Sequence, residues 1–174
     1  MKLLNDIIPA DLYKDELAPV DLQRSILLCQ LCPKVDCQSK KLDTMTKESR
    51  YQFMFIFDEF SMHQLDEEHM EKLQVVLNWL QLHPNYIFLT SVMKCEGGEA
   101  INCEQYTLRE IRLLNPQKVF FFTETYSLLN QEVSMGVPQR IFNQGYIELP
   151  HPRLWTNEQD YHYIYNAMLQ FLQM

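Results

Sequence analysis

Two kinds of apolar pattern alternate along the chain. Residues 51–57 (YQFMFIF) form a nearly continuous apolar run, and residues 86–89 (YIFL), 118–122 (KVFFF) and 146–149 (YIEL) give shorter ones. Runs of this length and aromatic content predict strands buried on both faces, as a parallel sheet requires. Between them the period changes. Met70, Leu73, Val76, Leu77 and Leu80 fall on the i, i+3, i+4 stripe of a helix that His83-Pro84-Asn85 stops. Tyr106, Leu108, Ile111 and Leu114 mark another helix over residues 103–114, closed by Pro116. Residues 123–131 are expected to be helical. Thr156 with Gln159 predicts a capping box for a last helix that turns Tyr161, Ile164, Met168, Phe171 and Leu172 inward. Strands alternating with helices give an α/β expectation: three layers, with a four-stranded, mainly parallel sheet between helices.

At 174 residues and 47% hydrophobic, the chain has the length and apolar content of one folded domain. Residues 1–28 read as an N-terminal arm with helical pieces, punctuated by Pro9 and Pro19, and residues 29–174 as the domain. Residues 33–50 carry five cationic and three acidic side chains and read as a loop. No stretch of eighteen apolar residues occurs, and Asn5 and Asp6 interrupt any signal-like start, so a cytoplasmic protein with no membrane span is expected.

Charge and glycine narrow the function classes. The formal charge is −8, which argues against a surface built to clamp nucleic acid or anionic lipid. Only four glycines are present, and Gly97, Gly98, Gly136 and Gly145 cannot be arranged into a dinucleotide or phosphate cradle.

The five cysteines are spaced in an informative way. Cys29 and Cys32 form a C-x-x-C, Cys37 follows, and Cys95 and Cys103 bracket a polar loop (EGGEAIN). A C-x-x-C that precedes every expected strand does not suit a thioredoxin-type redox motif, which follows a strand and opens a helix. Two close pairs from distant parts of the chain supply four soft ligands, suited to an iron–sulfur cluster or to zinc. Cys37 is left as a spare or a substitute ligand.

Residues 86–95 (YIFLTSVMKC), then Cys103 opening a helix, then residues 115–120 (NPQKVF), resemble consecutive segments of the iron–sulfur uracil-DNA glycosylases. The N-terminal Cys29-x-x-Cys32-Pro33 and the Leu149-Pro150-His151-Pro152 turn are similar to that family's outer motifs. The resemblance implies a glycosylase-like fold with Cys29, Cys32, Cys95 and Cys103 holding a [4Fe-4S] cluster, with zinc as the alternative. For an active enzyme it implies Asp58 or Glu59 as the water-activating group and His151 as a partner for the base.

The departures point away from catalysis. The family's glycine- and proline-rich loop after the first strand is here Phe57-Asp58-Glu59-Phe60-Ser61. Six acids and no Lys or Arg lie between Asp58 and Glu71, which would repel DNA at that mouth. Asp58 and Glu59 therefore read as the solvated start of an acidic helix, and His63 and His69 as polar loop residues. The expected function is that of a non-catalytic iron–sulfur accessory subunit in DNA replication or repair, binding protein partners through residues 1–28 and contacting DNA weakly or indirectly. The psi subunits of bacterial DNA polymerase III are similar in fold and role, although those of enteric bacteria lack these cysteines. The alternative is an active, divergent uracil-DNA glycosylase.

Overall fold

A computed structural model describes residues 19–32, 51–58, 67–95, 98–124, 126–128 and 134–174. Its elements are α1 (Pro19–Leu27), β1 (Phe53–Phe57), α2 (Glu67–Trp79), β2 (Ile87–Ser91), α3 (Ala100–Leu114), β3 (Lys118–Thr123), β4 (Gln139–Ile141), β5 (Gln144–Pro150) and α4 (Glu158–Gln173). The strand order is β2-β1-β3-β5-β4. β1 pairs in parallel with β2 and with β3, β3 pairs in parallel with β5, and β4 runs antiparallel to β5.

The expected α/β class is present, but among the described residues the sheet has five strands rather than four. The additional strand, Gln139-Arg140-Ile141, has three residues, and only Ile141 is buried. Its apolar content is too small to show as a run. It forms because the tight turn at Phe142 (φ 52°) folds the chain back on β5, with Ile141 opposite Gln144.

Helices cover both faces of the sheet. On one face Phe53, Phe55, Phe57, Phe120 and Phe122 pack against Leu73, Val76 and Leu77 of α2 and Ile164, Met168 and Phe171 of α4. On the other, Met54, Ile56, Val119 and Phe121 pack against Leu22 and Ile26 of α1 and Tyr106 and Ile111 of α3. Alternation along β1 and β3 sends successive side chains to opposite layers, which is why residues 53–57 and 119–122 are apolar at every position. The described portion of the expected arm, α1, thus lies against the sheet.

The helix ends follow local chemistry. α3 stops where Asn115 adopts a left-handed conformation (φ 47°) and its N–H bonds the Ile111 carbonyl, just before Pro116. The expected cap of α4 is displaced by one residue. Asn157, not Thr156, accepts from the backbone of Gln159 and Asp160, and Asp160 closes the box. Thr123 ends β3, and the described residues among 123–131 contain no helix; residues 125 and 129–131 lie outside the described set.

A cysteine-lined candidate metal site

α1 ends at Leu27 and delivers Cys29 and Cys32 just beyond its C-terminus, while α3 starts at Ala100 and carries Cys103 in its first turn. Because α1 and α3 lie on the same face of the sheet, the two cysteine pairs meet. Cys29, Cys32, Cys95 and Cys103 line one cavity together with Ile26, Lys94 and Tyr106. The four thiols are not joined in disulfides. Cys32, Cys95 and Cys103 are buried, and Cys29 is half-buried. Cys37 lies outside the described residues.

Nitrogen donors face the sulfurs. The Leu31 N–H and the Asn102 side-chain amide each stand 3.5 Å from a sulfur, those of Cys29 and Cys32 respectively. Burial pushes the Cys103 thiol up, with the backbone of Lys94 and the Lys94 charge opposing the shift. Gly98 approaches two of the sulfurs: a Cβ there would sit 2.9 Å from the Cys95 sulfur, 3.1 Å from the Cys95 carbonyl oxygen and 3.9 Å from the Cys32 sulfur. A side chain at this position would occupy the space between two of the thiols.

The donor set suits a thiophilic metal in kind and number. The space between the side chains is only about 10 Å³, enough for a water-sized sphere. Among the described residues, no three or more His, Cys, Asp or Glu side chains meet the requirements for holding a single ion. The cavity shows which side chains share a space.

Beside this cavity lies a buried ion pair that the sequence did not flag. Lys94 Nζ bonds Glu110 Oε2 at 2.6 Å, the Ser91 carbonyl at 2.6 Å and Thr90 Oγ1 at 2.8 Å. Its one signal was an acid on the apolar stripe of α3, seven residues after Cys103 and therefore on the same helix face.

The other candidate residues meet at the C-terminal ends of β1, β3 and β5. Asp58 is buried rather than solvated, because the sheet continues past β1: its N–H bonds the Phe122 carbonyl at 3.2 Å. Its Oδ2 accepts from the Glu124 N–H at 2.7 Å and stands 2.8 Å from the Thr123 hydroxyl. Oδ1 has no hydrogen-bond partner among the described residues. His151 is also buried, with its backbone N–H on the Thr123 carbonyl and Nδ1 accepting from the Arg153 N–H. The His151 ring lies edge-on to Phe57 and to His69. His69 belongs to α2 and is half-buried, not an exposed loop residue. Glu59 and His63 lie outside the described residues. An Arg153–Glu124 ion pair lies next to this site.

A third polar group joins β5 to the chain that follows β3. Glu148 Oε1 accepts from Tyr146 at 2.6 Å and from Ser127 at 2.9 Å, and Tyr126 donates to Glu104. Burial raises the Glu148 carboxyl above its ordinary value, against the lowering effect of its donors. Such a group contributes stability below its unfolded pKa, and this is lost as pH rises through the folded value. Glu148→Gln should flatten the decline in unfolding free energy as pH rises above the ordinary carboxyl value of 4.5; denaturant titrations across that rise check it, and an unchanged slope would exclude Glu148 as the cause.

Compared with known proteins, the chain matches no protein-family model and no curated protein.

Proposed function

We propose that the chain is a non-catalytic, iron–sulfur accessory protein of uracil-DNA glycosylase fold that works in the cytoplasm by binding protein partners in DNA replication or repair. One observation carries the proposal: cysteines 63 or more positions apart in sequence line one cavity, with N–H donors turned to their sulfurs. Cys29, Cys32, Cys95 and Cys103 would hold the [4Fe-4S] cluster, which would supply a rigid cross-link between α1 and α3 and a redox-active group. Hydrogen bonds to sulfur are one of the means by which proteins tune such clusters.

The adaptor role draws support from the surface and from the acidic balance of the chain. Leu28 is 68% exposed and Leu31 is 45% exposed at the end of α1, beside the cysteine cavity, where an unpaired apolar side chain gains by docking. Leu22 and Ile26 are already used in the core, so the partner-binding role proposed for residues 1–28 rests on the outer face of α1 and on residues outside the described set.

The second reading, an active divergent glycosylase, has its own observation. Asp58 and His151 are buried next to the same residue, Thr123, and one Asp58 oxygen has no partner among the described residues. Incubation with uracil-containing single- and double-stranded DNA decides between them. The accessory reading expects no abasic sites; base release lost in Asp58→Ala and His151→Ala would replace it with the enzyme.

A further inference from the structure

We propose that Lys94 and Glu110 are positioning residues for the cysteine site, a clamp that sets Cys95 against Cys103. This deepens the metal-site proposal and rests on it. Seven residues separate the two cysteines in sequence. Lys94 immediately precedes Cys95, and Glu110 lies two helical turns after Cys103 on the same face of α3. The 2.6 Å bond from Lys94 Nζ to Glu110 therefore ties the strand-end segment to the helix beside the sulfurs.

Both charged side chains are nearly withdrawn from solvent, at 7% and 6% exposure. In addition to Glu110, the ammonium is held by Thr90 Oγ1 and the Ser91 carbonyl at the end of β2, and Thr90 itself donates to Glu110 at 3.0 Å. The clamp is thus anchored in the sheet. Lys94 also has a direct link to the site, because it lines the cavity with the four cysteines. Buried ion pairs are seldom the most stable way to fill a core, and hydrophobic replacements of equal volume are often neutral or stabilising. A pair kept at the wall of a thiol site is consistent with a local role in setting geometry and charge.

The test compares full-length wild type, Glu110→Gln and the double variant Lys94→Met/Glu110→Leu, each loaded anaerobically with ferrous iron and sulfide. Iron per chain, the reduction potential and the paramagnetic spectrum of the reduced form are measured, with melting of the metal-free proteins as a control on folding. The expected result is metal-free melting of the double variant within a few degrees of wild type, at least a twofold loss of iron per chain, and a shifted potential and spectrum in the iron that remains. Glu110→Gln, which keeps the side-chain volume, should shift the potential and spectrum even where loading persists. Wild-type loading, potential and spectrum in both variants would overturn the clamp while leaving the metal site standing. Failure of wild type itself to take up a metal would overturn both.

Discussion

Cys103→Ser is expected to abolish cluster binding and to remove the stability that the cluster provides. Wild-type protein purified without oxygen should be brown, absorb near about 400 nm and carry about four irons per chain; the serine variant should be colourless. A group that binds only the folded state at a thousandfold above its dissociation constant stabilises by about 4 kcal/mol, so the holo-protein should lose roughly that much while the metal-free forms unfold alike. The effect follows from the position of Cys103 in the first turn of α3, where it joins that helix to the cysteines after α1. Iron analysis and chemical unfolding with and without chelator check it. A colourless wild type that releases one zinc per chain would replace the cluster with zinc, and the same unfolding difference would then belong to zinc.

Trp155→Ala should be the most damaging single change on the opposite face of the sheet. Trp155 is fully buried, its ring lies against Phe122 and Tyr161, and its indole N–H donates to the Pro150 carbonyl at 2.9 Å. Truncation leaves a cavity at the joint between β5 and α4 and removes the donor to a half-buried carbonyl. Large aromatic-to-alanine changes in cores cost about 3–5 kcal/mol, which for a chain of this size is a fall in melting temperature of roughly 10 °C. Thermal and urea unfolding give the value. A loss below about 1 kcal/mol would mean that Trp155 contributes little to the joint. Because Trp155 is remote from the cysteine cavity, the folded fraction should still load metal.

The strands and helices that could be read from the sequence are those whose own residues carry the signal. Residues 53–57 and 119–122 are apolar at every position because helices cover both faces of the sheet, and that leaves a continuous run visible in one dimension. β4 left no such mark, since a single buried Ile141 suffices when the partner strand supplies the rest. The α4 cap was legible in kind but not in position, because Thr156, Asn157 and Asp160 are all polar and only backbone geometry selects Asn157 as the cap.

The site divides in the same way. Four cysteines in two pairs identify candidate ligands by their chemistry, and the chain order states that they are far apart in sequence. Only the packing of α1 and α3 on one face of the sheet decides that they share a cavity. Asp58 in an acidic stretch carries the sequence signal of a solvated side chain. The sheet overrides that, because hydrogen bonds from β3 and the residue after it draw the carboxylate under the ends of the strands. Lys94 and Glu110 had no sequence signal as a pair, since a salt bridge between a strand end and a helix depends on where the two elements are placed. The sequence by itself determined the alternation of strand and helix, the acidic balance and the thiol inventory, all of which depend on residue type and local spacing. Tertiary structure decided which thiols meet, which charges are buried and which carboxylate is withdrawn from water, because each depends on contacts between segments that no local pattern records.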